Sequence, residues 1–260
     1  IFLFMVEPPG QWRRVKKRCP VTEKKILGRP LTRSRLHEEI VNIIQKQIMD
    51  GEISPGHKLP TERELAETFE VNRATVREAL RKLENLDLVE IRHGDGLYAK
   101  NYLESGNFDL IKAALMMDES GDVLSNILEA RGFVVPQIAY MAAERRTAAD
   151  LNELKHVVKS EDMTMLERDI RVHQIIAKSS HNLLCTVILN FFNQIFRDYG
   201  YLYFDDEHNI ERSRQFHLSI YEAIKNQKPQ KARKLMKDVL AYAQDAVKES
   251  LNRKKVRKVK

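Results

Sequence analysis

Only two cysteines, Cys19 and Cys185, occur in 260 residues. One lies among basic residues and the other in an apolar helical run, so they are too few for a disulfide framework and lack the spacing of a thiolate zinc site. No uninterrupted apolar run approaches the ~18–20 residues needed to cross a bilayer. The opening IFLFMV is too short for a signal-peptide core and has no basic residue before it, so the expected location is cytoplasmic. Residues 1–4 precede Met5 and are given no weight. The chain also has no HExxH pair, no nucleophile elbow and no Gly-rich phosphate loop, which leaves a hydrolase or nucleotide-processing enzyme without its usual signature.

What is present is a chain able to fold, with 43% hydrophobic residues, and a charge that is unevenly placed. The net charge of +7 divides into +8 over residues 1–35, −7 over 36–251 and +6 over 252–260. Basic ends on an acidic body fit arms that touch phosphate or another polyanion, although either end alone reads equally well as a solvated tail. Residues 1–31, rich in Pro, Gly and charge, are expected to form a flexible basic arm, and 252–260 (NRKKVRKVK) a basic tail.

Between them, Leu36, Ile40, Ile43, Ile44 and Ile48 fall at helical spacing until Asp50-Gly51 ends the pattern. Pro55-Gly56 marks a turn, and Thr61 with Glu64 three residues later forms a capping box that starts a second helix, ending near Phe69. Asn72 is a good N-cap for a third, with Val76, Leu80, Leu83 and Leu86 on one face. The stretch LVEIRHGDGLYAK then reads as a small β-hairpin turning at His93-Gly94-Asp95-Gly96. Three helices and a hairpin over 32–101 make a winged helix-turn-helix.

In that arrangement the second helix of the pair enters the major groove with its N-terminal residues against base edges and phosphates. A polar, cationic opening suits this, and Asn72, Arg73, Thr75 and Arg77 supply it: Arg forks onto guanine, while Thr and Asn bond phosphate or base. Any one of these arginines alone is more often a solvated surface charge. The ordered set of capping box, turn, polar helix start and Gly-containing wing is what favours double-stranded DNA as the partner. Residues 33–100 hold 11 Lys/Arg and 13 acids, so the cations must gather on one face.

The stretch PGHKLPTERELAETFEVNRATVREALRKLENLDLVEIRHGDGLYAK resembles the DNA-binding domain of the GntR family of bacterial transcriptional regulators. Its marks are the P-G-x-x-L-P-[ST]-E-R-x-L-A segment, a V-[ST]-R-x-[TP]-[VL]-R-x-A-L helix and a Gly-containing wing. The resemblance, over 32–100, implies DNA contacts from Arg63, Asn72, Arg73, Thr75 and Arg77, with His93 and Gly94 at the wing tip in the minor groove. Asn72 stands where Ser or Thr is usual, and HGDG replaces the commoner G-G-x-G.

From about Leu103 onward apolar residues recur at three and four throughout, with no alternating strand run, so about seven helices should form an all-α bundle over 102–251. The segments ILEARGFVVPQIAYMAAER, ERDIRVHQIIAKSSHNLL and RQFHLSIYEAIKNQKPQKARKLMKDVL resemble the FCD-type effector domain of the FadR-like branch of the same family. This resemblance implies a homodimer that binds a short palindromic operator and is switched by a small carboxylate-type or acyl-CoA effector. It also implies a divalent metal, zinc or nickel, held by Asp169, His173 and His217. The fourth ligand position of the family, 22 residues after His217, is Val239 here.

From the residues alone, Asp169 and His173 share a helix face, which equally describes a surface ion pair or a core histidine. Arg131 aligns with an inward arginine that commonly meets the effector; if buried it must face an anion, either a ligand carboxylate or a protein Asp or Glu. Asn182 is named with Arg131 and Asp169 as an effector contact, although capping the next helix is its simpler role. The aromatics Phe191, Phe192, Phe196, Tyr199, Tyr201, Tyr203 and Phe204 are core by default, or a wall for an acyl chain. Two other functions remain to be weighed, a metal-assisted hydrolase using Asp169, His173 and His217, and a winged-helix adaptor for protein contacts.

Overall fold

The structure is a computed structural model that describes residues 35–118 and 120–258, so the expected arm at 1–31 lies outside the described residues. The first helix, α1 (Arg35–Met49), buries Ile40, Val41, Ile44 and Ile48 and ends before Gly51, whose φ of +80° only glycine adopts freely. A two-residue strand, β1 (Lys58–Leu59), leads into α2 (Glu62–Thr68). The expected capping box opens α2: the Glu64 N–H donates to Thr61 Oγ1 at 3.3 Å, and the Thr61 N–H donates to Glu64 Oε2 at 2.8 Å. After a turn at Glu70, Asn72 caps α3 (Arg73–Asn85) by accepting the Thr75 N–H at 2.9 Å. Val76, Ala79, Leu80 and Leu83 form its buried stripe.

The wing consists of β2 (Val89–Arg92) and β3 (Gly96–Ala99), paired antiparallel from Val89↔Ala99 to Arg92↔Gly96. The sequence predicts a hairpin, whereas the sheet has three strands in the order β1-β3-β2, because Leu59 pairs with Leu97 and Lys58 with Tyr98. A two-residue strand is too short to show alternation, so periodicity does not reveal it. Val89 is buried but Ile91, two residues on, is 38% exposed while its partner Leu97 on the central strand is buried, because β2 is an edge strand.

A single turn, α4 (Tyr102–Ser105), precedes α5 (Phe108–Met117), which Asn107 caps while donating its amide to the Asn85 carbonyl at the end of α3. This short helix contributes to two cores. Leu110 packs into the apolar cluster of the winged domain, and Leu115 into that of the bundle. At its end Asp118 accepts the N–H groups of Ser120, Gly121, Val123 and Leu124, which fixes the turn into the long α6 (Asp122–Arg145).

The bundle continues with α7 (Ala148–Lys159), α8 (Met165–Ser179), α9 (Leu183–Tyr199), the single turn α10 (Tyr201–Phe204), α11 (Glu207–Lys225) and α12 (Pro229–Lys258). Leaving aside the one-turn elements, seven helices follow the wing among the described residues, as the periodicity predicts. The longest contact is between α6 and α12, and both carry the core that α8, α9 and α11 complete. Pro136 within α6 has no N–H for the Gly132 carbonyl, which loosens the ladder there. Pro229 at the first position of α12 costs nothing, and that helix continues through the basic stretch as far as Lys258.

Candidate functional site

The N-terminal end of α3 presents two exposed cations. Arg73 and Arg77 are both solvent-exposed. Arg73 has no hydrogen bond or ion pair among the described residues, whereas the Arg77 guanidinium donates to Glu62 at 3.0 Å, a contact that raises its pKa. Arg63 on α2 is likewise held by Glu67, at 2.9 Å. Such exposed pairs are worth only ~0–1 kcal/mol, so a phosphate or base can replace the acid at little cost. Asn72 and Thr75 are bonded to each other, since Asn72 Oδ1 accepts both the N–H and the hydroxyl of Thr75.

At the wing, Gly94 has a φ of +78° and no atom near a Cβ position, so the tip is open. His93 beside it is exposed. Behind the tip the Tyr98 hydroxyl donates to Asp95 at 2.9 Å and Lys58 Nζ reaches the same carboxylate at 3.3 Å, and together they hold that carboxyl below its usual range. The Arg92 guanidinium lies over the Tyr98 ring, 4.3 Å from its centre. Lys58 and Asp95 thus stiffen the wing, a role invisible in sequence because it depends on β1.

A second cluster lies inside the bundle, where Asp169 and His173 on α8 meet His217 on α11 and Arg131 on α6. All four are buried, at 6%, 2%, 1% and 3% exposure. The imidazole Nε2 of His217 lies 3.0 Å from Asp169 Oδ1, and that of His173 lies 3.7 Å from Oδ2. Burial alone would raise the Asp169 carboxyl; the two imidazoles and the Arg131 guanidinium outweigh it and hold it at about 2. His173 goes the other way, pushed down to about 3 chiefly by burial. At neutral pH the cluster therefore pairs a carboxylate with an uncharged His173.

The three residues expected as metal ligands come together around the Asp169 carboxylate. One carboxylate oxygen is taken by His217, the Arg131 guanidinium acts on the same carboxylate, and Val239 at the fourth position packs against the apolar core. Among the described residues no group of three or more His, Cys, Asp or Glu is arranged to hold a cation. The set is one ligand short of the family's four, while both imidazole Nε2 atoms face the one Asp169 carboxylate. Asn182 caps α9, its Oδ1 accepting the N–H groups of Leu184 and Cys185 at 2.9 and 3.3 Å. That leaves its side-chain oxygen committed to the helix, away from the role of effector contact.

Arg131 carries a buried charge that faces the Asp169 carboxylate beyond hydrogen-bond distance. It makes no hydrogen bond or ion pair among the described residues, its Nε is buried without a partner, and its guanidinium lies 4.6 Å from the centre of the Phe196 ring. It lines a small pocket between α6, α9 and α12.

Residues 36–98 match the family described as bacterial regulatory proteins of the gntR family, and residues 126–242 match the FCD domain. The chain is 30% identical to the galactonate operon transcriptional repressor of Escherichia coli (strain K12), over 73% of this chain and 87% of that protein. With the HTH-type transcriptional regulator LutR of Bacillus subtilis (strain 168) it shares 31% identity, over 68% and 85%. The chain belongs to the GntR family. It is a DNA-binding transcriptional regulator of the FCD-bearing, FadR-like branch, and its relatives are regulators rather than enzymes. Among solved structures, Streptococcus agalactiae GntR shares 28% identity over 80% of this chain and 99% of that one, with a TM-score of 0.43.

For this GntR regulator, sequence reasoning missed Asn193 in α9, buried with both amide atoms unpartnered, and Asp118 as the clamp between α5 and α6. An Asn within an apolar helical run gives no signal of its own. Asp118 had one in the Asp-x-Ser-Gly order, which suits an acid-capped turn.

Proposed function

We propose that this regulator binds a short inverted-repeat operator as a homodimer, and that a metabolite held in the bundle changes the placement of its two winged domains. The carrying observation is the exposed, cationic N-terminal end of α3, where among the described residues Arg73 has no ion pair and Arg77 meets one surface acid, Glu62. In this reading Arg73 and Arg77 reach base edges, Asn72, Thr75 and Arg63 hold phosphates, and His93 with Gly94 enters the minor groove. Charge supports the same orientation, since the helix N-terminus itself favours phosphate.

The effector is of the carboxylate or acyl-CoA type. One relative is named for a galactonate operon, and another, the fatty acid metabolism regulator protein of Shewanella frigidimarina, is 28% identical over 68% of this chain. Arg131 and Asp169 are the polar groups that an effector entering the core would meet. A hydrolase would need its metal centre open to substrate and water, and Asp169, His173 and His217 are buried. An adaptor reading has no observation of its own in its favour.

Selection from a random duplex pool with the full-length protein tests the proposal. The expected product is an inverted repeat, with binding weakened about tenfold or more by either Arg73→Ala or Arg77→Ala, the scale of one lost bidentate base contact. A pool that never enriches, or variants that bind as the parent does, would contradict it.

A further inference from the structure

We propose that the basic end of α12 is a second DNA contact, in which Arg253, Lys254, Lys255, Arg257 and Lys258 hold phosphates beside the site that the winged domain reads. It adds affinity without reading sequence.

α12 lies antiparallel to α6. Arg233, near the start of α12, sits 5.8 Å from the centre of the Tyr140 ring, near the end of α6. Further along, Val247 and Leu124 line one pocket, and Leu251 Cδ1 stands 3.3 Å from where a Cβ on Gly121 would be. Ser250 fixes that level by donating its hydroxyl to the Leu202 carbonyl at 2.8 Å. Residues 252–258 therefore run past the first turn of α6, about 10 Å further at helical rise. This is the end of the bundle at which the chain arrives from α5, and α5 packs Leu110 into the winged domain. α3 ends at the start of α5, where Asn107 donates to the Asn85 carbonyl. The root of the basic segment is thus separated from Arg73 by no more than α3, α5 and their short connections, about 40 Å, the scale of one duplex turn.

The charge is of one sign. Glu249 is the last acid of the sequence, and residues 252–260 hold six Lys/Arg. Arg253 pairs with Glu249 at 3.3 Å, an exposed contact that a phosphate replaces at little cost. Asp205, Asp206 and Glu207 line a cleft with these two residues, and Asp206 is already committed to the His208 N–H at the start of α11. Past Arg253 the sequence adds four cations up to Lys258 and no acid. Leu251 is the last residue of α12 packed on the core, so burial does not account for the helix beyond it. Like charges at helical spacing repel, and a polyanion removes that cost. DNA, the partner already required by the winged domain, offers a charge every ~1.7 Å of duplex axis.

Fluorescence anisotropy on the full-length protein tests this, with Arg253→Gln, Lys254→Gln, Lys255→Gln, Arg257→Gln and Lys258→Gln combined in one variant. Leu251 and the core are untouched, so the variant should melt with the parent. The probes are a duplex carrying the selected site alone, the same duplex extended by a turn on each side, and an extended duplex of arbitrary sequence. On both extended duplexes the variant is expected to bind about tenfold more weakly at about 0.1 M salt, with a log–log salt slope shallower by about 2, the loss of two or three phosphate contacts. The factor should be the same for both, because phosphates carry no sequence, and the short duplex should bind the two proteins alike. Equal affinity and slope on the extended duplexes, or a loss confined to the selected sequence, would overturn the proposal. So would a variant that binds every duplex as the parent does and loses only binding to phosphatidylserine vesicles, which would make the segment a membrane contact. Arg73→Ala with Arg77→Ala in the same assay reports on α3 alone, so failure of the second contact and failure of the recognition helix are told apart.

Discussion

Burial keeps His173 uncharged while its neighbours keep Asp169 ionised, and the consequence is a pH dependence that can be signed residue by residue. The unfolded chain takes up a proton on His173 near its ordinary 6.5, while the folded protein refuses it until about 3. Stability should therefore fall as pH drops from 6.5 towards 3, by at most ~1.4 kcal/mol per pH unit for this one group. Asp169 adds to the acid end. Its depressed pKa contributes stability that is present above the ordinary 3.8 and lost as pH falls to about 2. Urea midpoints of His173→Gln should depend less steeply on pH between 6.5 and 4 than those of the parent, and an unchanged slope would mean that His173 is not the buried neutral group described. Metal dependence is likewise tested at single residues. Prolonged chelation should leave the melting temperature unaltered, whereas Val239→His, which restores a fourth donor, should create zinc-dependent stabilisation; a chelator-sensitive parent would show that the cluster rearranges around a cation.

These residues illustrate how far the sequence could be read. Asp169 and His173 are visible as an i,i+4 pair and His217 as a motif position, but the bond between Asp169 and His217 spans 48 residues and is set by how α8 packs on α11. The unpaired state of Arg131 is a property of its surroundings, and no local pattern encodes it. Asn182 was legible in the opposite sense, because Asn before an apolar helix is a capping signal and capping is what it does.

Among elements, the helix-turn-helix is held by local devices that were all written in the chain, the Thr61 box, the Asn72 cap and the apolar stripe of α3. Their removal should cost accordingly: Thr61→Ala is expected to lower stability by ~1 kcal/mol in denaturant unfolding, since the Glu64 N–H loses its acceptor and the Glu64 carboxylate keeps only the backbone N–H of residue 61. The turn between α2 and α3 holds Glu70 at a φ of +52°, a left-handed conformation that strains a side-chain-bearing residue. Glu70→Gly should relieve it and stabilise the domain by up to ~1 kcal/mol, after the entropy that glycine loses on folding. β1 was the element that remained hidden, for its two residues matter only through their pairing with β3. The wing nevertheless depends on it, because Lys58 reaches Asp95 from that strand.

Across the whole molecule, the two domains meet at α5, which was expected only as the first stretch of the bundle. Leu110 belongs to one core and Leu115 to the other, and the Phe108 ring stacks on Phe191 of α9 at 4.7 Å. Phe192, the next residue, lines the interior pocket, and Leu124 of the same pocket is tied by its N–H to Asp118 at the end of α5. An effector acting on the bundle would have its shortest packed route to the winged domain through α5. Phe108→Ala should leave operator affinity near that of the parent while reducing the effector's influence on it, because the stacking that joins α5 to α9 is gone; titration of effector against a labelled operator would show a full response if the route lies elsewhere.

The central claim is that α3 presents Arg73 and Arg77 to DNA, and fluorescence anisotropy on a selected operator across a salt series tests it most directly. For the parent, log affinity should fall linearly with log salt, at about −0.9 per neutralised phosphate, and the Arg73→Ala, Arg77→Ala double variant, folded by circular dichroism, should bind about a hundredfold more weakly or worse. Equal affinity and equal salt slope for the two proteins would contradict it.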